Sequence, residues 1–255
     1  MYKVTRLLHL ADPGDETAVA TTIERLTSAA KSADARHTLV ARTLPGVRNG
    51  GDVLAHLQFG SAAEWARHRA AIDEATSGSA IGHVDAVEYE SGPASDAHAG
   101  RRQDAGPSRI YRTLLLRVDD AADTAQVRRF EHGTLQMPEH IPAILAWQLS
   151  PVRHATGAAR WTHVWEQEFA DVDELLGPYM HHPIHWGHVD RWFDPECPEQ
   201  IVKDRVCHSF CAIPAPVIDA IPVVDAAPVA DAASVADATP VAGATSEFPL
   251  AARRG

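Results

Sequence analysis

Residues 178–189, PYMHHPIHWGHV, contain four histidines within eight positions. A neutral imidazole can accept a proton near physiological pH and can also ligate a metal ion or haem iron, so this segment is a candidate for acid–base or ligand chemistry. Proline is favoured in the first turn of a helix, and Pro183 therefore predicts a helix that runs to about Trp192. Within that helix, the spacing places His185, His188 and Trp192 on one face.

His185 has the properties that a general base needs. The partial positive charge of a helix N-terminus disfavours imidazolium, and a base must start neutral. Tyr179 supplies a second group that can hold a proton. On a predicted strand over 160–169, alternate residues point to one face, which groups His163 with Trp165. A pocket with aromatic walls and a few imidazoles suits an enolisable or ring-forming small molecule.

Two blocks of similar predicted secondary structure must position these residues. Each block has the order strand, helix, strand, strand, helix, strand, which is typical of a ferredoxin-like unit. Strands are predicted at 3–10, 37–44, 52–59, 83–90, 109–118, 143–152, 160–169 and 200–210, and helices at 15–32, 61–75, 122–137 and 171–193. Two such sheets packed face to face form an α/β barrel within one chain, so the predicted class is α+β.

The chain is predicted to divide into two units, a linker and a tail. The N-terminal unit covers 1–92 and the C-terminal unit covers 109–213. Residues 93–108 are rich in Gly, Pro, Ser and Asp, and predict the linker. Residues 214–255 consist mostly of Ala, Val, Pro and Asp, with a proline or serine every six residues from Pro216. This composition blocks a long helix and predicts a disordered tail.

Three motifs carry a family resemblance: MPEHIPAI (137–144), WTHVWEQEF (161–169) and PYMHHPIHWGHVDRWF (178–193). They resemble the stress-responsive dimeric α/β barrel (Dabb) family and, within it, the olivetolic acid cyclase-type proteins. The resemblance extends over about 109–210 and is topological only over 1–90. It implies ferredoxin-like units that pair through their sheets, with the first unit as a degenerate partner of the second. It also implies aldol-type ring closure that needs no metal or organic cofactor.

The resemblance also implies roles for individual residues. Tyr179, followed by the His-Pro-x-His of His182 to His185, matches the family's helix-start motif, which implies that His185 is the general base and Tyr179 its partner. Arg112 stands where the cyclase has a histidine on its first strand. The expected catalytic residues are therefore His185 and Tyr179, and the expected substrate-binding residues are His163, His182, Trp165 and Arg112.

Composition excludes several function classes. The net charge of −11 repels nucleic acid and anionic membrane surfaces on average. No segment approaches the roughly 20 apolar residues that span a bilayer, and the N-terminus lacks the pattern of a signal peptide. The three cysteines, Cys197, Cys207 and Cys211, cannot form a disulfide framework, which favours a cytoplasmic location.

The sequence thus predicts a cofactor-independent cyclase, isomerase or lyase that acts on a carbonyl-rich, polyketide-like or aromatic small molecule, with homo-oligomers of the fused barrel as a further expectation. Two alternatives stay open. One is a barrel that binds a metal ion through His185 and His188, with Asp190, Glu166 or His163, or that binds haem with His185 as an axial ligand. The other is a non-enzymatic stress-responsive binding or assembly protein whose tail tethers a partner.

Overall fold

The computed structural model describes residues 1–92, 95–203 and 206–219, together with the backbone of 222–223. The first half of the chain contains four strands and two helices. These are β1 (Tyr2–Leu10), α1 (Glu16–Ser32), β2 (His37–Arg42), β3 (Val53–Phe59), α2 (Ala62–Ala75) and β4 (Ile81–Glu90). Helix α1 begins where the Asp15 carboxylate accepts the backbone N–H groups of Thr17 and Ala18, which supplies partners that the first turn of a helix lacks.

The second half repeats this order, with two additional strands. Its elements are β5 (His98–Arg102), β6 (Ile110–Leu116), α3 (Thr124–His140), β7 (Ala146–Thr156), β8 (His163–Phe169), α4 (Val172–Glu174), β9 (Cys207–Ala212) and β10 (Pro222–Val223). A capping box formed by Asp123 and Gln126 starts α3. Two π-helical turns, Leu175–Tyr179 and Ile184–Val189, and a 3₁₀ turn, Asp190–Trp192, follow α4.

The strands form one continuous sheet in the order β2-β3-β1-β4-β7-β8-β6-β9. Each half has ferredoxin-like strand order, and the halves join where β4 pairs antiparallel with β7. At the other end, the N–H of Leu44 donates to the carbonyl of Phe210 at 3.0 Å, which brings the β2 side of the sheet to β9. The result is a nearly closed antiparallel barrel, and the predicted fold class is confirmed.

Three hydrophobic clusters fill the structure. One lies between the first half of the sheet and α1 and α2, and a second lies between the second half and α3 with the π-helical turns. The third fills the barrel interior and includes Leu7, Tyr89 and Tyr111. Because helices cover one face of the sheet and the opposite half of the barrel covers the other, every residue of β3, β6 and β8 is buried.

The structure differs from the predicted linker and tail in two places. Within the predicted linker, β5 pairs antiparallel with β7, from His98 opposite Leu149 to Arg101 opposite Ala146. Backbone pairing along the unoccupied edge of β7 offsets the weak strand propensity of HAGRR.

The beginning of the predicted tail packs on the barrel. Val217 and Ile218 are buried, and their backbone N–H groups donate to Glu168 Oε1 at 2.6 and 2.7 Å. The remainder of the predicted disordered tail, apart from the backbone of 222–223, lies outside the described residues. Across the described ranges, no helix combines the length and apolarity needed to cross a membrane.

Candidate active site

A cavity of about 380 Å³ lies against the helix-facing side of the second half of the sheet. Strands β6, β8 and β9 form its floor, and α3 and the second π-helical turn form its roof. Its volume falls within the range of small-molecule sites. The lining side chains are Arg48, Asn49, Arg112, Leu114, Leu116, Thr134, Met137, Trp165, Tyr179, Met180, His185, Val189, Asp190, Phe193, Val206 and His208.

Arg112 on β6 provides a buried positive charge, since only 3 % of the residue is exposed. Nε donates to His208 Nε2 at 2.7 Å, and Nη1 donates to Gln167 Oε1. The guanidinium carbon lies 5.1 Å from the ring centre of Tyr179. Burial lowers the pKa of Arg112, but arginine remains charged in proteins. Within the described ranges, no carboxylate forms an ion pair with this guanidinium.

His185 provides a neutral imidazole on the opposite wall. Its ring meets the Tyr179 ring edge to face, with centres 4.9 Å apart. Burial lowers the pKa of His185 to about 4, and the positive charge of Arg112 contributes to the shift. The Asp190 carboxylate lies 3.8 Å from His185 Nδ1 but is half exposed, so it does not offset these two effects. At neutral pH the imidazole is therefore unprotonated and available as a base.

His208 on β9 is a second neutral imidazole. Burial lowers its pKa to about 2, and Arg112 is the next largest cause. Because Nε2 accepts from Arg112, the proton of the neutral ring belongs on Nδ1. The sequence predicted only a strand over 200–210 here, and His208 was not among the expected site residues. The alternation that places His208 and Phe210 on one face of β9, with ring centres 5.4 Å apart, was the available signal.

Two buried polar atoms border the apolar end of the cavity. The indole N–H of Trp165 on β8 and the hydroxyl of Thr134 on α3 have no hydrogen-bond partner among the described residues. Both side chains line the cavity beside Leu116 and Met137. Buried polar groups are nearly always hydrogen-bonded, so within the described residues these two atoms lack the partner that such groups usually have.

Of the six predicted site residues, the cavity brings four together: Arg112, Trp165, Tyr179 and His185. His163 shares a face of β8 with Trp165 but does not line the cavity. Its Nδ1 lies 2.8 Å from Thr162 Oγ1 and its Nε2 lies 3.4 Å from Glu131, while Phe130 packs against the ring. Thr162 and the α3 residue Glu131 thus lie next to the two ring nitrogens of His163.

His182 also lies outside the cavity lining. Its Nδ1 accepts the backbone N–H of Ile184, the first residue of the second π-helical turn, at 3.2 Å. His188 lies outside as well, with Nδ1 3.1 Å from Arg191. The predicted common face of His185 and His188 assumed α-helical spacing, whereas a π-helical turn bonds residues five apart and rotates the later side chains.

The proposed metal-ligand set does not converge. Glu166 points into the barrel interior, where it pairs with Lys3, and His163 and His188 have the contacts described above. Across the described parts of the chain, no group of three or more His, Cys, Asp or Glu side chains is arranged to hold a metal ion.

Comparison with known proteins finds a family match over the part of the chain that contributes most of the cavity lining. The family model described as the stress responsive A/B barrel domain matches residues 110–207. No curated protein matches the chain in sequence.

Among solved structures, an anthrone oxidase-like protein is 11 % identical over 86 % of this chain and 96 % of its own, with a TM-score of 0.57. At this identity the likeness is one of fold alone. A Dabb family protein from Mesorhizobium loti is 18 % identical over 43 % of this chain and 98 % of its own, with a TM-score of 0.32. A chlorite dismutase from Candidatus Nitrospira defluvii is 11 % identical over 84 % of this chain and 91 % of its own, with a TM-score of 0.48. The family model for the stress responsive A/B barrel domain therefore matches residues 110–207 of this chain, and the likeness to the anthrone oxidase-like protein is one of fold.

Proposed function

We propose that the cavity catalyses cofactor-independent proton transfer on an enolisable carbonyl compound, as a cyclase, isomerase or lyase. The observation that supports this proposal is that one cavity contains a neutral imidazole and a buried guanidinium, which forms no ion pair with a carboxylate of the described residues. A buried charge that lacks a counter-charge is costly to the folded state. Such a charge is useful where a negative charge develops during a reaction.

In the proposed reaction, His185 accepts a proton from a carbon next to a carbonyl group. The electron pair of the broken C–H bond moves to the carbonyl oxygen and forms an enolate. Arg112 stabilises the negative oxygen, and the Tyr179 hydroxyl orients it by a hydrogen bond. The imidazolium then returns its proton, either to a different carbon or to the oxygen formed when the enolate attacks a second carbonyl, so the proton balance closes without a cofactor.

His208 and Gln167 act through Arg112 in this account. Both are neutral acceptors, and they fix the guanidinium in place without neutralising its charge. Preorganised charge of this kind needs no reorganisation when the enolate forms. The apolar walls formed by Leu114, Leu116 and Trp165 exclude water, which strengthens the interaction between the enolate and Arg112.

The test follows exchange of carbon-bound hydrogen with D₂O by NMR, using acetophenone, phenylacetone and cyclohexanone as probes. The wild-type protein should accelerate exchange of at least one probe. His185→Gln should reduce this acceleration by about 10²- to 10⁴-fold, because the general base is lost. His181→Gln is the matched control, since His181 is exposed and outside the cavity lining, and its exchange rate should match that of the wild type.

Two outcomes would contradict the proposal. One is an exchange rate that is at background for every probe or unchanged in His185→Gln. The other is a Soret band or stoichiometric zinc, after haemin or zinc is added separately, that disappears in His185→Gln. The second outcome would make His185 a ligand and favour the haem or metal alternative.

A further inference from the structure

A loop of the first unit closes one side of the cavity. This loop, residues 43–52 between β2 and β3, contributes Arg48 and Asn49 to the lining. It lies against β9, so the site proposed above contains side chains from both halves of the chain. The domain match at 110–207 does not include this loop.

The loop is held in place by its backbone. The N–H of Arg48 donates to the carbonyl of His208 at 3.0 Å, and the N–H of His208 donates back to the carbonyl of Arg48 at 2.8 Å. The side-chain amide of Asn49 donates to the carbonyl of Val206 at 3.1 Å. Among the described residues, the side chain of Arg48 forms neither a hydrogen bond nor an ion pair, so the backbone and Asn49 hold the loop.

The strand order gives the position of Arg48 relative to the reactive groups. Strands β8, β6 and β9 are neighbours, about 4.8 Å apart, and carry Trp165, Arg112 and His208 in that order. Arg48 comes next, beyond β9, and is exposed at the mouth of the cavity. The cavity therefore runs from an apolar end at Trp165, past Arg112, to a cation at its opening.

The charges around the cavity favour an anion. The lining contains two arginines, Arg48 and Arg112, and one carboxylate, Asp190, while burial keeps His185 and His208 neutral. The lining thus carries a net charge of +1 in a chain whose net charge is −11. Within the described residues, Arg48 forms no ion pair with a carboxylate.

We propose that Arg48 binds a carboxylate of the substrate at the cavity mouth, so that the substrate is a carbonyl compound with an acidic group and an apolar body. This proposal rests on the function proposed above, because it identifies the substrate class of the same cavity. Arg48 is a binding residue in this account, and the first unit completes the site of the second.

Isothermal titration calorimetry with benzoate, phenylacetate and 2-naphthoate, each compared with its carboxamide, tests the proposal. The wild-type protein should bind at least one carboxylate more tightly than its amide, with an affinity that falls as salt is added. Arg48→Gln should lower the ratio of carboxylate affinity to amide affinity by about 3- to 10-fold, as expected for a partly exposed ion pair. Arg48→Lys should retain part of it.

Arg42→Gln is the matched control, because Arg42 lies at the end of β2 and pairs with Glu16 outside the cavity. It should leave the carboxylate preference unchanged. The proposal is overturned if the wild type binds no carboxylate more tightly than its amide, or if Arg48→Gln retains the full preference. Binding is measured without turnover, so failure of the proton-transfer proposal in His185→Gln would remain a separate result.

Discussion

At the residue scale, Arg112 combines a cost to folding with a role in the proposed chemistry. Its guanidinium is buried and bonded to two neutral acceptors. The sequence suggested this position only as the place where a related cyclase has a histidine, and nothing near Arg112 in the chain indicates that its charge lacks a carboxylate partner.

We expect Arg112→Gln to lower the deuterium exchange rate by about 10²- to 10³-fold, the effect of losing one donor to a developing oxyanion. The same variant should be as stable as the wild type or more stable, because an uncompensated buried charge is removed. Arg109→Gln, an exposed arginine just before β6, is the control. A variant that is clearly less stable in urea but exchanges hydrogen at the wild-type rate would contradict this prediction.

Residues with reactive side chains in a local motif could be predicted from the sequence. Residues that reach the site only through long-range backbone pairing could not. Tyr179 and His185 lie six positions apart in a recognisable motif, so their proximity is local. Arg48 and His208 are brought together by a backbone pair 160 positions apart in the chain. Neither residue has a local signal that indicates the other.

At the element scale, the loop between β2 and β3 depends on a close backbone approach. A Cβ atom at Gly50 would lie 2.4 Å from the carbonyl oxygen of His208 and 2.7 Å from the Cα of Ser209. Both atoms belong to the backbone of β9, which cannot yield without losing its pairing with β6. Glycine is therefore required where the loop crosses the strand.

We expect Gly50→Ala to destabilise the protein by about 1–3 kcal/mol, the usual cost of overpacking, and to displace the loop. Its carboxylate preference should fall as it does in Arg48→Gln. Gly106→Ala provides the control, because a Cβ there meets nothing within 4 Å. Urea denaturation and calorimetry of both variants would measure the two effects, and a Gly50→Ala variant with wild-type stability would show that the contact is not tight.

Element boundaries were predicted well where hydrophobic alternation or a cap marks them. The prediction for α1 and the observed helix share their last residue, Ser32, and β8 ends at Phe169 as predicted. Strand β5 was missed because HAGRR has no strand pattern and pairs only because β7 offers an edge. The π-helical turns were missed because their hydrogen-bond spacing has no clear sequence mark.

At the scale of the whole molecule, a buried ion pair connects the two halves. Lys3 on β1 and Glu166 on β8 are both fully buried, with Nζ 3.1 Å from Oε2. Lys3 also donates to Gln148 at 2.8 Å, and the Tyr111 hydroxyl donates to Glu166 at 2.7 Å. The tandem arrangement itself was predicted from the repeated order of elements, but this contact between the halves could not be, because it depends on how the two sheets face each other.

We expect Lys3→Met to lower the free energy of unfolding by about 3–5 kcal/mol, since it leaves the Glu166 carboxylate buried without its cation. The double variant Lys3→Met/Glu166→Gln should regain part of the lost free energy of unfolding, because its buried carboxylate is also removed. Arg42→Gln, which removes an exposed ion pair with Glu16, should unfold like the wild type. Urea denaturation would show the difference, and a Lys3→Met midpoint equal to that of the wild type would mean that the pair does not hold the halves together.

The proposed chemistry requires that His185 stays neutral beside the buried guanidinium of Arg112. An NMR titration of the His185 imidazole, assigned with His185→Gln, tests it most directly. We expect a pKa of about 4, so the exchange rate should be constant above about pH 5 and fall by half near pH 4. Because the unfolded chain binds this proton near pH 6.5, His185 should also make the fold less stable as the pH falls from about 6.5 to about 4. A titration midpoint near 6.5 would contradict the account.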